Sequence, residues 1–224
     1  HSSMIRQLCY PKKKKMRLTL TYICLILISF SAVAQDSILI KKALKFQEKI
    51  NHEFKDSLES PLPKEDFKAF KTLDFFPIDT NLVVKAKFVR TPSEAPFIME
   101  TTTERKPVYI KYGEAHFMLE DEEFVLNIYQ SQQLITDPKY ANYLFLPFTD
   151  NSNGEDSYAG GRYLDLKIPK NDVIVLDFNQ AYNPYCAYSG KYSCPIPPED
   201  NHISLAIHAG VKNYAKKEKD TITN

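Results

Sequence analysis

Arg162, Asp177 and Asn179 are polar residues set into two apolar segments, Gly160 to Ile168 and Val173 to Asn179. A guanidinium beside a carboxylate and a carboxamide has two uses: holding an anion, or tying a chain segment down. Pro169-Lys170-Asn171-Asp172 between the segments reads as a turn, so the two segments read as a hairpin. With Ile168 opposite Val173, Leu166 meets Val175, Leu164 meets Asp177, and Arg162 meets Asn179. All eight side chains then share one face, and Arg162 and Asp177 become diagonal neighbours about 7–8 Å apart. Tyr158, Tyr182 and Asn183 flank this end and complete the ligand-binding candidates. Two expectations follow: Arg162 and Asp177 satisfy each other, or Arg162 holds an anionic ligand among tyrosines. A slip of one residue would put Arg162 and Asp177 on opposite faces and undo both.

The next stretch, FNQAYNPYCAYSGKYSCPIPP (Phe178 to Pro198), holds Cys186, Cys194, four tyrosines and four prolines. Seven residues separate the cysteines, wider than the C-x₂₋₄-C spacing of structural zinc. His202 and His208 are the remaining soft-metal candidates, and a metal is not expected. The cysteines are expected to form a disulfide, which oxidising compartments preserve.

Other groups carry less. Asp165 and Asp177 are a candidate carboxylate pair for glycoside chemistry, but the assumed register sets them on opposite faces. The run from Asp150 to Asp156 is rich in carboxylates yet lacks the glycine and glutamate positions of an EF-hand. His116 alternates with Phe117 and Leu119, which places it toward solvent. No G-x-S-x-G, P-loop, G-x-G-x-x-G or H-E-x-x-H motif occurs. No cofactor is expected.

The elements that must position these residues are mostly strands. Val84, Ala86 and Phe88 alternate with Lys85 and Lys87, the pattern of a strand with one wet face. Further strands are expected at Phe97 to Thr102, Pro107 to Tyr112, Ala115 to Leu119, Glu123 to Tyr129, Tyr143 to Thr149 and Ile203 to Ala209. Tyr112-Gly113-Glu114 and Glu120-Asp121-Glu122 read as tight turns. Ser37 to Ser57 reads as an amphipathic helix with Leu39, Ala43, Phe46, Ile50, Phe54 and Leu58 on one stripe. Lys64 to Phe70 reads as a short second helix. The fold class expected is mainly β: an antiparallel barrel or sandwich of eight or nine strands behind an N-terminal helix.

The beginning of the chain points to export. Lys12 to Lys15 and Arg17 precede an apolar run, Leu18 to Phe30, and then Ala32-Val33-Ala34. This is the layout of a secretory signal, starting at Met4 or Met16, with cleavage near Ala34/Gln35. The run is too short to span a bilayer as a helix. Residues 1–34 hold six of the 29 Lys+Arg and none of the 28 Asp+Glu, leaving 23 basic against 28 acidic residues. No concentrated basic patch remains, which argues against nucleic-acid binding. The expected organisation is 1–34 as extension and signal, 35–80 as helix and connector, and 81–224 as the β-rich part, all one globular domain.

LFLPFTD (Leu144 to Asp150), SYAGGRYLDL (Ser157 to Leu166), VLDFNQAYNPYCAY (Val175 to Tyr188) and SCPIPPEDN (Ser193 to Asn201) occur in that order. Together they resemble the domain-of-unknown-function family number 1684. The resemblance implies an exported bacterial protein and brings no agreed reaction, ligand or cofactor. The function expected is a non-catalytic secreted or periplasmic envelope protein that binds a small ligand or an envelope partner at the Arg162/Asp177 end. A hydrolase using that same end is one alternative, a structural or interaction module the other.

Overall fold

The computed structural model describes residues 35–214. Helix α1 occupies residues 35–55 and α2 is Lys64–Ala69. The strands are β1 (Val83–Arg90), β2 (Phe97–Ile98), β3 (Val108–Leu119), β4 (Glu122–Ser131), β5 (Tyr143–Asp150), β6 (Arg162–Lys167), β7 (Val173–Asp177) and β8 (His202–Ile203). They form one sheet in the order β6-β5-β4-β3-β1-β7, with β2 against β3 and β8 against β5. Every pair is antiparallel except β5 with β8. The sheet curls into a half-barrel, so the mainly β expectation with an N-terminal helix holds.

The inner face is aliphatic and phenylalanine-rich. Ala86, Ala115, Leu126, Ile128, Leu144, Leu146, Leu164 and Leu176 are all buried there, closed by Phe148, Phe178 and Ile207. The two-residue period puts alternate side chains of each strand into this core. The other face carries a second cluster, Met99, Tyr109, Tyr129, Phe145 and Tyr163. A sheet apolar on both faces needs a layer over each. Helix α1 and the tyrosine-rich loop supply the second layer. Phe54 of α1 meets Tyr188 edge-on at 4.8 Å and Phe70 at 5.7 Å. Asn51 accepts a hydrogen bond from the Leu73 amide at 2.8 Å. Leu58, placed on the helical stripe by its spacing, lies beyond the helix and is exposed.

Two local expectations change and one holds. Tyr112-Gly113-Glu114 is no turn: β3 runs through it, with a bulge between Lys111 and Gly113. A Cβ on Gly113 would sit 2.6 Å from the Val89 carbonyl oxygen and from the Phe88 ring, so the close approach of β1 explains the glycine. The turn at Glu120-Asp121 does form, with both residues at positive φ, the conformation that hairpin turns favour. Finally, β6 and β7 do not pair. β6 pairs with β5 through Leu144↔Leu166 and Phe148↔Arg162, while β7 pairs with β1 through Val83↔Asp177 and Lys87↔Val173. They are the two ends of the ordered path, joined by a connection that only looks like a hairpin turn in sequence.

Where β4 and β5 splay apart, a side chain replaces the missing ladder. Asn201 is fully buried; its carboxamide accepts from the Asn127 amide at 2.8 Å and donates to the carbonyls of Asn127 and Pro147. Pro147 has no N–H to offer a neighbouring strand, so a carboxamide stands in for a peptide group.

Candidate functional site

The expected Arg162–Asp177 pair does not exist. On β7, Ile174 and Leu176 face the core while Val173 and Val175 face outward. Asp177 therefore lies on the face opposite Arg162, and the two strands are not neighbours in any register. Arg162 is fully enclosed. Its Nη2 donates to Asp150 Oδ2 at 2.8 Å and to the Ile207 carbonyl at 2.7 Å, and its Nη1 donates to the Ala209 carbonyl. Asp150 Oδ1 accepts from the amides of Ser152 and Ile207 and from the Ser152 hydroxyl. Burial pulls the Arg162 guanidinium down from its ordinary pKa, and the Asp150 charge opposes that. With no open approach, Arg162 ties the 205–210 segment to the sheet and has no room for an anion.

The other named residues scatter. Asp177 takes hydrogen bonds from Gln180 and Asn179 and lies 3.8 Å from Lys42 of α1. Asn179 exchanges two hydrogen bonds with the backbone of Asp79, and Asn183 donates to the Lys212 carbonyl. The hydroxyl of Tyr158 stands 3.8 Å from Cys186 Sγ. Of the expected ligand-binding residues, Tyr182 lines a cavity.

That cavity, about 470 Å³, lies between the outer face of the sheet and the second layer. Its floor comes from alternate residues of two paired strands, Tyr143 and Phe145 on β5 with Tyr163 and Asp165 on β6. Phe46, Lys49, Ile50 and Glu53 of α1 form one wall, and Tyr185, Tyr192 and Ser193 of the tyrosine-rich loop form another. The rings interlock: Phe145 meets Tyr163 at 4.7 Å, Tyr163 meets Tyr182 at 5.8 Å, and Tyr185 meets Tyr192 at 5.2 Å. At one point on this surface the hydroxyls of Tyr143 and Tyr182 both donate to Asp165 Oδ1, at 2.8 and 2.6 Å. Burial, and after it the charge of Asp165, push both hydroxyls well above the ordinary tyrosine pKa. Arg105 reaches across to Ser193, with Nε on its hydroxyl and Nη2 on its carbonyl.

The model of the family described as "Protein of unknown function (DUF1684)" matches residues 68–212. The chain belongs to this family. A solved structure of an uncharacterized protein from gene locus rrnAC0354 of Haloarcula marismortui is 31% identical with a TM-score of 0.63, over 80% of this chain and 96% of that one. No curated protein matches. The DUF1684 match spans the cleft floor, Asp165 and the tyrosine-rich loop, whereas the α1 wall precedes it.

In this DUF1684 chain, the sequence points to Asp165 only as a partner for Asp177 and to Tyr143 only as the start of a strand. The signal was present: Tyr143-x-Phe145 and Tyr163-x-Asp165 put aromatics where a wet face would carry lysines or threonines. Among the described residues, no group of three or more His, Cys, Asp or Glu is close enough to hold a metal ion. His202 is bonded to Thr149 and His208 to Asp156, away from the cysteines.

Cys186 and Cys194 stand side by side as free thiols, with the Cys186 amide donating to Cys194 Sγ at 3.1 Å. The hydrogen bond from Cys194 lowers the Cys186 thiol to about 6, and the same bond, with burial, pushes Cys194 up. Cys186 is the more exposed of the two and meets an oxidant first, with Cys194 beside it to resolve a mixed disulfide. Treatment with oxidised glutathione is expected to close a disulfide: Cys186 displaces one glutathione thiolate, and Cys194 then releases the second. Trypsin after blocking free thiols tests this, because Lys191 lies between the two cysteines. Joined peptides 171–191 and 192–212 are the expected product; two separately blocked peptides would contradict it.

Proposed function

We propose that this protein is a non-catalytic ligand-binding protein of the cell envelope, secreted or periplasmic, whose ligand is a small organic molecule held in the aromatic cleft. The observation that carries the reading is the cavity of about 470 Å³, aromatic on most sides, with the carboxylates of Asp165 and Glu53 at its surface. Small-molecule sites have this character: a largely apolar concavity in the few-hundred Å³ range with a small number of convergent polar groups. The signal-like layout of residues 1–34, which lie outside the described residues, supports export. Among the described residues, no helix is long and apolar enough to cross a membrane. His116 is bonded to Glu114, and neither it nor His202 or His208 lines the cleft, which favours binding over acid–base catalysis.

Leu134 at the cleft rim is 37% exposed, so a larger side chain there fills the cavity without entering the core. Two-dimensional NMR titration with a set of single-ring fragments should move resonances of Tyr143, Phe145 and Tyr163. Leu134→Trp should weaken that binding by about tenfold or more. Fragments that move only other regions, or bind Leu134→Trp equally well, would remove the cleft from consideration.

A further inference from the structure

We propose that the cleft takes an organic cation, an ammonium or amidinium group on an apolar body, with its N–H donors on Asp165 and the phenolic oxygens of Tyr143 and Tyr182. The inference rests on the ligand-cleft reading above and adds the ligand's chemical class.

A phenol has one proton and two acceptor lone pairs. Both phenolic protons here are committed to Asp165 Oδ1. What these three side chains still present is acceptors only: two phenolic oxygens and Asp165 Oδ2. The raised pKa values of both tyrosines keep those protons in place at neutral pH. Among the described residues no cation answers this group. Among the described residues Asp165 has no ion-pair partner, while Lys49 lies 3.3 Å from Glu53 and Arg105 is held by Ser193. An acceptor-only carboxylate end selects donors and positive charge, and repels an anionic ligand. The surrounding rings of Phe145, Tyr163 and Tyr182 add the negative faces that attract cations.

Three probes of one shape separate the alternatives: benzylammonium, benzyl alcohol and benzoate, titrated by two-dimensional NMR at fixed salt. Benzylammonium should bind at the cleft about tenfold more tightly than benzyl alcohol, and benzoate more weakly than either. Asp165→Asn keeps an oxygen for both tyrosine hydroxyls and replaces Oδ2 by a donor. In that variant the benzylammonium advantage should vanish. Should the variant fail to fold, wild-type protein carries the test: added salt should weaken benzylammonium and leave benzyl alcohol unchanged. Equal binding of all three probes at the cleft would overturn the cation assignment and leave the ligand cleft standing. No cleft shifts from any probe would overturn both.

Discussion

Arg162→Met lowers the unfolding free energy by about 3–5 kcal/mol, because it leaves Asp150 as a buried charge without its partner. The arginine is fully enclosed and serves three acceptors: Asp150 and the carbonyls of Ile207 and Ala209. Methionine fills much of the volume but donates nothing, so two carbonyls lose their donors as well. The loss should show as a lower urea midpoint with an unchanged slope. Adding Asp150→Asn should recover part of it, since asparagine removes the stranded charge and its oxygen still accepts from the amides of Ser152 and Ile207. A shift below about 1 kcal/mol for Arg162→Met, the scale of an exposed ion pair, would mean that the knot contributes little.

Alkali should unfold the protein cooperatively. Burial is the first cause of the raised pKa of Tyr143, Tyr163, Tyr182 and Tyr188. The unfolded chain releases tyrosine protons near pH 10, whereas the folded chain retains them. Their contribution is therefore intact below about pH 10 and is lost as the pH rises further, where the native state binds more protons. Tyr163 and Tyr188 are 5% and 1% exposed. These two alone steepen the decline by about 2.7 kcal/mol per pH unit. Tyr143 and Tyr182 add less, because solvent in the cleft screens them. Tyrosinate absorbance and far-UV circular dichroism, followed together, should change in one transition above pH 10. Absorbance from these tyrosines rising gradually while the dichroism stays native would show that they are not protected.

The strands were legible because period-two alternation is a local property. Val84, Ala86 and Phe88 alternate in the sequence and point inward in the fold. Register was not legible. In Val173-Ile174-Val175-Leu176 both faces of the strand are apolar, so alternation cannot say which pair goes in. The partner, β1, lies almost a hundred residues away, and no local signal marks it. The short 168–172 connection offered a nearer partner, and that choice put Arg162 and Asp177 together on paper. Tyr182 was found because its loop is dense in aromatics. Asp165 was weighed only against another carboxylate, since nothing in LDL announces the helix and loop that pack over its face. Arg162 was rightly seen as inward; its partner is Asp150, the first residue of a carboxylate-rich run weighed only as a calcium loop.

The pairing of β1 with β7 also sets an order of events. Val83 meets Asp177, Asn179 fastens the backbone of Asp79, and Phe75 bridges to Val211. A chain made from its N-terminus must keep β1 without one neighbour until nearly the last of these residues has emerged. The inner face can close only after β7 has been made, and contacts this distant in sequence form slowly. Under the export proposed above, that delay would leave the chain threadable while it is being made.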